Sequence, residues 1–145
     1  MRIAATAVFV GLAVSVLSAH VTVAPRESQA GAEQRYTIRV PTEGQVATTS
    51  VELEVPADMT IIEVVQGDGY TFETRREGSR IVAITWKREI PPRQTAEFVF
   101  VARNPKSEQV AWRARQRFAD GTSADWIGVE GDRRPAAVTR LTAAR

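Results

Sequence analysis

Tyr36, Ile38 and Val40 are apolar while Thr37 and Arg39 between them are polar, and the same alternation returns at Val51, Leu53 and Val55. A two-residue period belongs to a half-buried β-strand, because successive side chains of a strand point to opposite faces. A helix buried on one side repeats at about 3.6 residues instead. Similar runs at 61–65, 70–74, 80–86, 95–102, 110–118 and 124–129 predict further strands. Turn-forming clusters of Gly, Pro, Asn, Asp and Ser separate them at 41–45, 56–58, 67–69, 77–79, 91–94, 104–107 and 120–122. A strand about every 10 residues with no long amphipathic helix predicts an all-β fold, a sandwich or barrel. The tail 131–145, with Pro135 and scattered small residues, is expected to be an edge strand or mobile.

The first residues do not fit this pattern. Arg2 precedes an apolar run over 3–17, and the small residues Ser18 and Ala19 follow before the first polar segment. That is the build of a secretory signal peptide, and the run is short of the roughly 20 residues that span a bilayer. Cleavage after Ala19 is expected, although Leu17 stands where the cleavage rule prefers a small residue. The expected organisation is a signal peptide over 1–19 and one domain over 20–145, periplasmic or secreted, with no stable membrane insertion after cleavage. A domain of about 126 residues buries enough apolar surface to fold without disulfides.

Rare residues narrow the chemistry. The chain has no Cys, one His and two Met, one of them the initiator. Cys-based zinc, iron-sulfur clusters, blue-copper thiolates and Cys nucleophiles are excluded. A net charge of +2 gives no reason to expect nucleic acid or a membrane surface as partner. Arg113, Arg115 and Arg117 occupy one face of the run at 110–118 while Trp112, Ala114, Gln116 and Phe118 occupy the other. The arginines are read as a solvated strand face that pairs with Glu52 and Glu54, and those two carboxylates are not read as a glycosidase pair.

The residue that demands chemistry is His20. Cleavage after Ala19 would give one residue both a free α-amino group and an imidazole, within chelating reach of one metal ion. In simple peptides these groups release their protons at about pH 7.7–8.0 and about 6.5, so a metal competes with few protons at neutral pH. Two neutral nitrogens with a carboxylate and water favour a tetragonal ion, and the divalent affinity order peaks at copper.

The start His20-Val21-Thr22-Val23-Ala24-Pro25, followed by Arg26 and Glu27, resembles that of the YcnI-like family of exported bacterial copper-binding proteins. The likeness continues in order through Val40-Pro41-Thr42-Glu43, Ala47-Thr48-Thr49 with Val51, Ala102-Arg103-Asn104-Pro105, Trp112-Arg113-Ala114-Arg115-Gln116, Asp120-Gly121 and Asp125-Trp126-Ile127-Gly128. It implies an immunoglobulin- or fibronectin-like β-sandwich and one Cu(II) per chain in a monohistidine brace. His20 would supply both nitrogens, Glu43 the carboxylate with Glu27 and Glu54 as alternatives, and Trp126 the neighbouring tryptophan. A protonated indole nitrogen has no lone pair to give, so Trp126 would wall the site and orient a ligand or water. Trp86 and Trp112 are expected in the core. Where the family commonly has Pro-Gly-Trp, this chain has Gly67-Asp68-Gly69-Tyr70, and no apolar membrane tail is seen.

The expected function is capture, buffering or delivery of Cu(II) outside the cytoplasm, with a membrane copper transporter or copper chaperone as partner and no enzymatic reaction. A metal-independent interaction domain is the alternative. A copper redox enzyme of the polysaccharide monooxygenase kind would need a second imidazole.

Overall fold

A computed structural model describes residues 19–144, and the expected signal peptide lies outside the described residues except for Ala19. Twelve strands and no helix make up the described chain: β1 (Thr22–Ala24), β2 (Glu27–Gln29), β3 (Glu33–Pro41), β4 (Thr48–Glu54), β5 (Thr60–Val64), β6 (Thr71–Glu77), β7 (Arg80–Ile90), β8 (Thr95–Arg103), β9 (Gln109–Trp112), β10 (Ala114–Phe118), β11 (Ser123–Trp126) and β12 (Ala137–Thr142). They form a four-stranded sheet in the order β1-β3-β8-β5, a five-stranded sheet β11-β10-β4-β7-β6 and a three-stranded sheet β2-β12-β9.

The alternation in sequence is the alternation of burial. Tyr36, Ile38 and Val40 of β3 are fully buried, as are Val51 and Leu53 of β4, and they meet Phe98, Phe100, Ile84 and Trp86 in one core. Aromatic contacts join strands of different sheets: Trp86 of β7 stacks on Phe98 of β8 with centroids 5.4 Å apart, and Tyr36 of β3 meets Trp112 of β9 edge-on at 4.8 Å. Trp86 and Trp112 are core residues, as expected. The Trp112 indole donates to Thr139 Oγ1 at 2.9 Å, and Thr139 in turn donates to the Pro25 carbonyl. Tyr70, in the departing Gly67-Asp68-Gly69-Tyr70 segment, packs edge-on against Phe98 and donates to the Val65 carbonyl. That position serves packing.

Three expectations are corrected. The run at 110–118 is two strands in two sheets, since β9 pairs with β12 while β10 pairs with β4 and β11. The break falls at Arg113, whose carbonyl accepts from Glu54 N as the chain passes from one sheet to the other. The tail is neither an edge nor loose: β12 is the central strand of its sheet, parallel to β2 and antiparallel to β9. Of the three arginines, Arg113 pairs with Glu54 at 3.6 Å, but Arg115 pairs with Asp125 at 2.7 Å, and Glu52 faces Arg75.

Candidate metal centre

Register brings the site together. β1 runs antiparallel to β3 with Thr22 opposite Arg39, so the chain just before β1 lies beside the end of β3 at Pro41. His20 therefore stands next to the β3–β4 loop that carries Glu43. Trp126 arrives from a third direction, at the end of edge strand β11. The rings of His20 and Trp126 are 5.5 Å apart and tilted by 55°. His20, Glu43 and Trp126 all line one open depression of about 600 Å³, together with Gln116, Arg133 and Arg134. Glu54 is instead engaged with Arg113 in a different depression, and Glu27 sits in β2; neither lines the His20 depression.

Trp126 is fixed from below by a buried chain of hydrogen bonds with one consistent direction. An indole N–H can only donate, and it donates to Gln116 Oε1 at 3.1 Å, which settles the orientation of the Gln116 amide. Gln116 Nε2 then donates to the Pro41 carbonyl at 2.9 Å and to Thr48 Oγ1 at 2.7 Å. Thr42 Oγ1 donates to the Ile90 carbonyl, which leaves Thr48 as donor in the 2.6 Å contact between the two threonines. The backbone of Thr42 is tied as well, its N–H to Gln94 O and its carbonyl to Arg93 N. Glu43 is thus an exposed side chain on the first residue after an anchored one, and Trp126 is joined to the same anchor. Asp125 is held from the outer face: its hydrogen bond from Arg115 keeps its carboxyl below the usual carboxylate range, aided by the charges of Arg115, Arg117 and Arg134.

Coordination chemistry limits what the depression can hold. Among the described residues no group of three or more His, Cys, Asp or Glu side chains is placed to bind a metal ion. His20 and Glu43 supply one imidazole and one carboxylate, a set that fits a tetragonal ion only when the α-amine of His20 is added. Met59, the one sulfur among the described residues, is buried in the core at 1% exposure. The soft ligand Cu(I) prefers is absent from the site.

Sequence reasoning placed Gln116 on the buried face of its strand without assigning it a task. A glutamine among Trp112 and Ala114 on an inward face was the available signal, since a buried amide must be hydrogen-bonded. Arg133 and Arg134 were read only as part of the tail.

Residues 20–141 match the family described as a domain of unknown function, DUF1775. The chain is 37% identical over 132 residues to a protein of Bacillus subtilis (strain 168) named copper-binding protein CutI, a match covering 88% of this chain and 65% of that relative. Among solved structures, an uncharacterised protein from Nocardia farcinica with an immunoglobulin-like fold superposes with a TM-score of 0.72 at 27% identity, covering 86% of this chain and 99% of the other. A cohesin module from a Clostridium perfringens family 33 glycoside hydrolase superposes with a TM-score of 0.50 at 15% identity, over 88% of this chain and 100% of that module. That likeness is of fold alone.

Proposed function

The chain belongs to the DUF1775 family, and we propose that it is an exported Cu(II)-binding protein that captures, buffers or delivers copper outside the cytoplasm. Removal of residues 1–19 would free the α-amine of His20, so that amine and imidazole chelate the ion, Glu43 adds an oxygen and Trp126 walls the site. The observation that carries this reading is the meeting of the His20 and Trp126 rings in a depression that Glu43 also lines. The name of the Bacillus relative supports copper as the ion, and the family match opens on His20 itself. With one histidine in the whole sequence, a second imidazole for redox chemistry is absent, which favours carriage over catalysis. A membrane copper transporter or a copper chaperone would be the receiving partner.

Titration of protein that begins at His20 tests the reading. One Cu(II) per chain is expected, with Cu(I) held more weakly, because no thiolate or accessible thioether is present. At a free Cu(II) concentration 100 times the dissociation constant, mass action should add about 2.7 kcal/mol to stability and raise the melting temperature. Several coppers per chain, or tighter binding of Cu(I), would overturn the proposal.

Glu43→Gln removes the anionic oxygen while keeping the shape of the side chain. Cu(II) affinity is expected to fall about tenfold, with a changed electron paramagnetic resonance spectrum. The melting temperature of the metal-free protein should stay within about 2 °C of wild type, since Glu43 is exposed and makes no ion pair among the described residues. An unchanged affinity would remove Glu43 from the ligand set.

A further inference from the structure

Past Trp126 the chain folds back on itself. Gly128 N donates to Arg134 O at 3.0 Å, Ala136 N donates to Gly128 O at 2.9 Å, and Val129 N and Asp132 close the inner turn through Asp132 Oδ2 and Val129 O. Gly128 allows this: a Cβ there would stand 2.5 Å from Asp132 Oδ2, 2.8 Å from Asp132 Cβ and 3.1 Å from the Arg134 carbonyl. Gly131, with φ of +90°, completes the reversal. The Gly in the Trp126-Ile127-Gly128 segment thus lets a closed loop set two consecutive arginines, Arg133 and Arg134, into the lining of the His20 depression.

That placement conflicts with the binding of a bare cation. Among the described residues Glu43 is the one acidic residue lining the depression, against two arginines. Neither guanidinium makes an ion pair among the described residues. A Cu(II) ion bound there without an anion would raise the net charge of the lining groups from +1 to +3, and Asp125, whose carboxyl feels the charge of Arg134, stands outside that lining. Planar guanidinium forks match the geometry of carboxylates, which are also good oxygen ligands for Cu(II). We propose that Arg133 and Arg134 form an anion subsite, so that the depression takes Cu(II) together with a small chelating carboxylate. This rests on the copper reading above and adds a second ligand to it.

Oxalate serves as the probe and inorganic phosphate as the control for charge alone, on protein that begins at His20. With one equivalent each of Cu(II) and oxalate, a ternary complex should survive native mass spectrometry and shift the copper resonance spectrum. Phosphate, which cannot close a five-membered chelate, should be retained at least about tenfold less. In the double variant R133S/R134S, ternary complex formation should weaken at least about tenfold, while Cu(II) affinity in anion-free, non-coordinating buffer should rise about threefold to tenfold as like charges are removed. The opposite signs separate an anion subsite from a loop that merely supports the fold, which would lower both. R133K/R134K, which keeps the charges and loses the forks, should leave anion-free affinity unchanged and retain oxalate to an intermediate degree. Oxalate that strips the copper, a ternary complex equally strong in R133S/R134S, or phosphate held as well as oxalate would overturn the subsite and leave copper binding standing. A wild-type protein that binds no Cu(II) in any of these buffers would overturn both.

Discussion

Protein that begins at His20 should bind Cu(II) at least about 100-fold more tightly than the same protein acetylated at its N-terminus. In the acetylated protein the nitrogen of His20 is an amide, whose lone pair is delocalised into the new C–N bond, and no second amine stands near enough to anchor the ion; an added Ala19 would bring its own amine and so would not make this comparison. The imidazole, Glu43 and Trp126 are unchanged between the two forms, so the comparison isolates the chelating amine. Ala19 itself lines the depression, and its removal opens space beside the imidazole. Competition against a chromophoric Cu(II) chelator measures the ratio, and the intact mass of the protein made by the cell reports whether it begins at His20. Equal affinities would exclude the amine as ligand and leave only two side-chain donors, too few for a retained ion.

The strands were legible because burial repeats with the period of the side chains. Tyr36, Ile38 and Val40 announce β3 without reference to anything else in the chain. The change of sheet at Arg113 left no trace, because inward and outward residues keep alternating through Trp112, Ala114 and Gln116 while the hydrogen-bonding partners change from β12 to β4 and β11. β12 was hidden for a different reason: one of its two buried residues is Thr139, a polar side chain placed to accept from Trp112, so the segment lacks an apolar signature. In the site, His20 was marked by its position after Ala19 and by being the one histidine. Its meeting with Trp126 is a matter of tertiary placement that only the family resemblance anticipated. Arg133 and Arg134 enter the depression because the chain closes on Gly128, a contact invisible to periodicity and to local composition.

Gln116 is expected to carry the largest stability cost of any polar residue in the depression. Leucine is similar to glutamine in volume, though one bond shorter, and offers no polar atom. Gln116→Leu would leave the Trp126 indole N–H and the Pro41 carbonyl without the partners they now have, and would remove one of the two hydrogen bonds of Thr48 Oγ1. Each buried group so abandoned costs about 1–3 kcal/mol, and the gain from burying an apolar side chain offsets part of that, for a net loss of about 2–4 kcal/mol. For a domain of this size the melting temperature should fall by roughly 6–16 °C. The same substitution should disturb copper before the fold is lost, because Gln116 ties the Trp126 wall to Pro41, two residues from Glu43. In folded Gln116→Leu protein, quenching of Trp126 fluorescence by Cu(II) and the copper resonance spectrum should therefore both change. Thr139→Val offers a matched control: it breaks the Trp112 to Pro25 connection in the core and should lower stability while leaving the copper spectrum alone. If Gln116→Leu lowers the melting temperature but its copper spectrum and quenching match wild type, the hydrogen-bonded chain beneath the site serves the fold alone, and Trp126 keeps its place by packing.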